Sequence, residues 1–204
     1  SKNGSISLAL WKQIKQIADS ATDGQQTTVH GWVKSRRASK SVGFVVINDG
    51  STQADFQLVI DEGTPPFALV PEIQTGASVK ATGILRESPG KGQKWELGVT
   101  ELEICGNADA QSYPLQKKGH SLEFLREVAH LRGRTNTFGA VFRVRNHLSQ
   151  LVHRFFQEQG FMWAHTPIIT ANDCEGAGEL FSVTHFDLNQ VPHLKDGQID
   201  YNED

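Results

Sequence analysis

Between Thr27 and Cys105 the sequence alternates apolar and polar residues with period two, and it does so in five separate runs. The runs are TTVHGWVKS, VGFVVINDG, ADFQLVID, SVKATGILRE and KWELGVTELEIC. Turn residues fill the breaks between them: Asp49-Gly50, Asp61 to Pro66, and Ser88-Pro89-Gly90. Short alternating runs bounded by Gly, Pro, Asp and Ser are the pattern of strands joined by turns. Between the third and fourth runs, FALVPEIQTG has room for a short helix or crossover. Gly31, Gly43 and Gly83 stand inside strand patterns, where glycine often marks a bulge or a sharp barrel corner. Five strands with one helical insertion after the third is the order of an OB-fold barrel.

The flanking segments have helical periodicity. In SLALWKQIKQIAD (residues 7–19), Leu8, Trp11, Ile14, Ile17 and Ala18 share one stripe, which predicts a short amphipathic helix packed on the strands after it. Asp23-Gly24 then marks a turn. Residues 106–119 shift to Asn, Asp, Ser, Tyr-Pro and Gln-Lys-Lys-Gly, as at a barrel exit and hinge. HSLEFLREVAHLRGRTN has short helical periodicity and carries Arg126, Arg132 and Arg134, with Glu123 and Glu127 as partners within reach in sequence. Thr137 is positioned to cap a helix running to about Gln159, with a broad apolar face that includes Phe138, Val141, Val144, Leu148, Leu151, Val152 and Phe155. His147 and His153 are six apart and do not share a helix face, so they suit packing or solvent better than a metal. Gly160 suits the left-handed position that closes a helix. Phe161, Trp163, Ile168 and Ile169 then predict a strand, and Pro167 restricts it to an edge, bulge or boundary.

Charge and cysteine usage narrow the classes. The 204 residues hold one large or two small domains, and a net charge of -3 makes this no blanket polycation. A nucleic-acid partner would have to be met by a local patch. Lys34, Arg36, Arg37 and Lys40 cluster between the first two strands, just before Phe44, while Arg86, Lys91 and Lys94 gather at the last turn. Two accounts fit these charges: solvated loops, or phosphate contacts on a single-strand-binding barrel. Phe44 likewise suits either a barrel core or a stacking surface for an unpaired base. Cys105 and Cys174 are far apart with no CxxC, which supports neither a zinc site nor a disulfide framework. No apolar run reaches membrane-spanning length, and no signal-peptide core opens the chain, so a cytoplasmic protein without a membrane partner is expected.

The stretch GFMWAHTPIITANDCEGAGELFSVT (residues 160–184) follows a long helix with a proline-marked run and an acidic glycine loop. This order resembles motif 1 of the class II aminoacyl-tRNA synthetases, and TANDCEGAGELF is similar to the asparaginyl version of the loop. Bacterial aspartyl enzymes have the form PEGARD there; this chain departs from it with Cys174 before Glu175 and Gly178-Glu179 after Ala177. The resemblance implies an α+β chain. A five-stranded OB-fold anticodon-binding domain would occupy 1–106, a hinge 107–136, and the start of an antiparallel α+β class II catalytic domain 137–204. It implies ATP-dependent activation of asparagine and its transfer to tRNA by a homodimer. ATP and Mg2+ would serve the full-length enzyme, with neither bound by this fragment alone.

The family's anticodon-reading positions fall at Phe44, Gln57 and Glu96, with Arg36 and Arg37 beside them. Gln57 has a donor and an acceptor for a uracil edge, and Glu96 accepts from a guanine edge. Pro167 is implied to lie at the dimer interface, and Glu175 with Gly176 on a loop that closes over the amino acid, where the carboxylate would hold the α-ammonium. Motifs 2 and 3 do not occur, so no catalytic and no metal residues are expected here, and the fragment alone is expected to be inactive. An RNA-binding or regulatory relative, or an aspartyl-tRNA synthetase, are the alternative readings.

Overall fold

In the computed structural model, which describes residues 12–90, 92–170, 172, 181, 183, 187 and 189–200, the five alternating runs form five strands. They are β1 (Gln26–Ala38), β2 (Val42–Asn48), β3 (Phe56–Asp61), β4 (Ser78–Glu87) and β5 (Trp95–Gly106). The order is β1-β2-β3-β5-β4, and β4 pairs back onto β1 to close a barrel. Every pairing is antiparallel except β3 with β5, which is parallel. Closure removes the open sheet edges that would otherwise template aggregation. Alternation sends Val29, Val33, Val45, Ile47, Leu58, Ile60, Leu85 and Leu97 into one core. Burying each such side chain contributes about 1.5–3 kcal/mol.

The insertion after β3 is a 3-10 helix, Pro65–Glu72, that starts at the prolines and buries Val70, with Ile73 buried just after it. Two of the strand glycines are close-packing positions and not bulges, Gly43 against the 3-10 helix and Gly31 against β2. A Cβ on Gly43 would lie 2.9 Å from a Val70 methyl, and one on Gly31 would lie 3.2 Å from Ile47. Gly83 does sit at a register shift, and there a Cβ would come 2.1 Å from the Gly98 carbonyl oxygen. The N-terminal helix, α1 (Ile14–Asp19), buries Ile14 and Ile17; Leu8 and Trp11 lie outside the described residues. Its first amides are satisfied by the β2–β3 turn: Ile14 N donates to Asp49 Oδ2 (2.8 Å) and Lys15 N to Ser51 Oγ (3.0 Å).

After the barrel come α2 (Leu122–Glu127), capped by Ser121 through Phe124 N (3.2 Å), a 3-10 turn at Arg132–Arg134, and α3 (Asn136–Glu158). The cap of α3 is Thr135, not Thr137. Thr135 keeps an extended backbone and its Oγ1 accepts from Phe138 N at 3.3 Å, whereas Thr137 is already helical. Gly160 closes the helix at φ +85°, its N–H donating to Gln157 O and that of Phe161 to Phe156 O, both at 3.0 Å.

The chain falls into two compact units, Ser1–Phe155 and Phe156–Asp204. In the second unit the expected strand at 161–169 is not formed. The run is irregular with a bend at Ile168–Ile169, and the bridge His193–Ile199 is the pairing found among the described residues there. A strand exists only with a partner to take its N–H and C=O groups, and the described residues offer this run none.

Candidate nucleic-acid interface

The barrel register assembles two adjacent rows of residues across all five strands. Ser35, Val46, Gln57, Glu96 and Arg86 are successive partners, as are Arg37, Phe44, Val59, Gly98 and Ile84. Phe44 and Val46 are half-buried, while their neighbours Gly43, Val45 and Ile47 point into the core. Phe44 is therefore an outer-face aromatic and not a barrel-core residue. The Arg37 guanidinium lies over its ring, 4.8 Å from the centroid, in a cation–π contact.

Glu96 departs furthest from an ordinary strand-surface acid. It is 6% exposed, the one charged residue fully buried among those described. A buried carboxylate is tolerated only when paired. Gln57 Nε2 donates to its Oε2 at 3.2 Å, and Ser88 Oγ donates to the same oxygen at 3.0 Å. Arg86 Nε lies 3.2 Å from Oε1, close enough for an ion pair, yet its N–H is misaligned and finds no acceptor. We take the pair as a charge contact and not as a formed hydrogen bond, since the angle decides that. The guanidinium rests over Gly98, where a Cβ would meet it at 3.3 Å, and reaches toward Asp61 at 3.9 Å.

The two arginines singled out in the sequence diverge. Arg37 covers Phe44, whereas Arg36 Nη1 donates to Val70 O at 2.8 Å and so ties the end of β1 to the 3-10 helix. The hinge arginines are also engaged. Arg126 is 3.7 Å from Glu123, Arg132 lies over the Phe138 and Phe142 rings, and Arg134 stacks 4.8 Å from the half-exposed Trp32. Beside Trp32 an open cleft of about 630 Å³ is lined by Lys34, Tyr113, Lys118, Arg134 and Asn136. Pro167 stands in the irregular run of the second unit, remote in sequence from these strands; Glu175, Gly176 and Lys91 lie outside the described residues. Ser88 and Gln93, whose Nε2 donates to Ser88 Oγ at 3.1 Å, were not foreseen. The available signal was Glu96 itself, an acid inside the apolar run WELGV.

Comparison with known proteins agrees with the barrel fold. Residues 27–105 match the OB-fold nucleic acid binding domain family, and residues 121–195 match the class II tRNA synthetases (D, K and N). An asparagine–tRNA ligase from Picosynechococcus sp. is 52% identical over 193 residues, 94% of this chain and 42% of the relative. One from Geotalea uraniireducens is 58% identical over 181 residues, covering 89% and 39%. The chain thus spans about two fifths of the length of the curated relatives it matches. Among solved structures, asparaginyl-tRNA synthetase from Pyrococcus horikoshii complexed with asparaginyl-adenylate superposes with a TM-score of 0.74 at 21% identity, covering 88% of this chain and 41% of that one. At that identity the superposition speaks to fold alone. With the barrel, the helix after it and this run of sequence identity together, the chain belongs to the asparaginyl-tRNA synthetase family of class II and corresponds to its N-terminal portion.

Proposed function

We propose that this chain is the anticodon-reading part and the beginning of the catalytic part of an asparagine–tRNA ligase. In this reading residues 1–106 bind the anticodon, 107–136 form the hinge and 137–204 begin the catalytic domain. The whole enzyme joins asparagine to its tRNA in two steps. The asparagine carboxylate attacks the α-phosphate of ATP, releasing pyrophosphate and forming the adenylate. A terminal ribose hydroxyl of the tRNA then takes the acyl group and AMP leaves. Glu175 and Gly176 would close over the amino acid. Pro167 and the apolar side of α3, where Val144, Leu148 and Val152 are exposed, would meet a second copy in a cytoplasmic homodimer. Among the described residues no group of three or more His, Cys, Asp and Glu could hold a metal ion. In this reading ATP and Mg2+ serve the whole enzyme.

The observation that supports the reading is the row Val46–Gln57–Glu96 beside Phe44 and Arg37. It offers an aromatic ring on β2, an amide on the neighbouring strand β3 and a carboxylate on β5 beyond it. An unpaired pyrimidine and a guanine, as an asparagine anticodon contains, need those groups. Labelled anticodon stem-loops, changed one base at a time and titrated at fixed salt, test it. Preference for the asparagine anticodon is expected, with about a tenfold loss in Phe44→Ala from the missing stack and a flattened preference in Gln57→Ala. Equal binding to all loops would sink the assignment.

A further inference from the structure

We infer that Ser88 is a positioning residue for base selection, acting through Glu96; this rests on the anticodon reading above. A serine hydroxyl has one proton to give and two lone pairs to fill. Here Gly90 N donates to Ser88 Oγ at 3.2 Å and Gln93 Nε2 donates to it at 3.1 Å. With both lone pairs engaged, the one proton is directed to Glu96 Oε2 at 3.0 Å. The turn is closed behind it by Ser88 N donating to Lys94 O at 2.9 Å. The hydroxyl is thus held from both sides and aimed at the buried carboxylate.

The consequence lies in which oxygen of Glu96 remains available. Oε2 already takes two donors, Ser88 and Gln57. Oε1 faces Arg86 Nε without an aligned N–H, so it is the oxygen with acceptor capacity left. Two bonds on one oxygen fix the carboxylate torsion and leave the other oxygen as a single oriented acceptor. Such an acceptor takes one N–H from a base edge, and the N2 amino group of guanine is a donor that suits it. Without Ser88 the carboxylate keeps its charge and its Gln57 contact but is free to turn, so it loses directional selection while electrostatic attraction persists. Ser88 itself touches no base in this arrangement.

The test compares the full chain with its Ser88→Ala, Ser88→Thr, Gln93→Ala and Glu96→Gln variants. The probes are two stem-loops of the asparagine anticodon, one with guanine at its guanine position and one with inosine, which lacks the N2 amino group. Ser88→Ala is expected to cut the guanine-over-inosine ratio about tenfold, the size expected for losing one hydrogen bond to a charged group. Binding of the inosine loop should be nearly unchanged, Ser88→Thr should restore the ratio, and Gln93→Ala should lower it less. A purely structural role would weaken both loops together and leave their ratio intact, which would overturn the inference. A full ratio in both Ser88→Ala and Gln93→Ala, while Glu96→Gln loses it, overturns the role of Ser88 and spares the anticodon reading. An unchanged ratio in Glu96→Gln removes that reading and the inference with it.

Discussion

At the scale of single residues, the same letter carries different physics. Gly31, Gly43 and Gly83 look alike in the sequence, each a glycine inside an alternating run. Gly43 faces the Val70 side chain at 2.9 Å and Gly31 faces Ile47 at 3.2 Å with the Asn48 backbone just behind it, whereas Gly83 meets the backbone carbonyl of Gly98 far more closely than either. An overlap of a few tenths of an ångström can be absorbed by small shifts, but a strand backbone inside a closed barrel cannot retreat much further without breaking its pairing. Gly83→Ala should therefore cost about 3 kcal/mol, at the upper end of overpacking penalties. Urea denaturation would show this as a lower midpoint with an unchanged slope. A midpoint within error of the parent would mean that the β4–β5 register can slide to make room. Glu96 teaches the converse lesson. Read by type, an acid on a strand belongs to solvent; read by register, it is opposite Gln57 and beside Arg86 and is buried. Nothing within a few residues of Glu96 announces those partners, because the parallel β3–β5 pairing that supplies Gln57 joins positions 39 apart.

At the scale of elements, local pattern was enough for most of the barrel. The run SVKATGILRE is β4 end to end, and β2, β3 and β5 differ from their runs by a residue or two at the ends. Strand formation here follows from burying one face, which is what alternation encodes. The same logic failed at 161–169, where apolar and aromatic residues promise a strand but no described edge receives it. The start of α3 lies between these cases. Two threonines stand near it, and propensity alone does not choose between them. The choice is made by the 3-10 turn before it, which leaves Thr135 extended, with its hydroxyl donating to Arg132 O at 2.7 Å and accepting from Phe138 N. Thr135→Ala should destabilise the helix start by about 1 kcal/mol, and Thr137→Ala by little. Amide exchange at Phe138 reads the difference directly: its protection should fall in the first variant only. Equal effects in both would return the cap to Thr137.

At the scale of the whole molecule, the charge distribution limits how the proposed RNA interface can work. The net charge of -3 gives no long-range attraction for a polyanion. The cations beside the candidate face are mostly committed: Arg36 to Val70 O, Arg86 to Glu96 and Asp61, Arg37 to Phe44 and Lys94 to Trp95. Few are left to neutralise phosphate, so the selectivity would come from stacking and hydrogen bonding more than from counterion release. This sets a quantitative expectation. Each phosphate contact on single-stranded nucleic acid contributes about -0.7 to the slope of log K against log salt. Two or three contacts, from Lys40 at the exposed β1–β2 turn and its neighbours, give a slope of about -2. Lys40→Ala should reduce it by about 0.7 and weaken every stem-loop alike. Phe44→Ala should instead weaken binding about tenfold through the lost stack while leaving the slope in place. A slope steeper than about -4 would require more phosphate contacts than this face has uncommitted cations. It would shift the main RNA contact to the cleft beside Trp32, lined by Lys117 and Lys118, and affinity would no longer depend on Phe44.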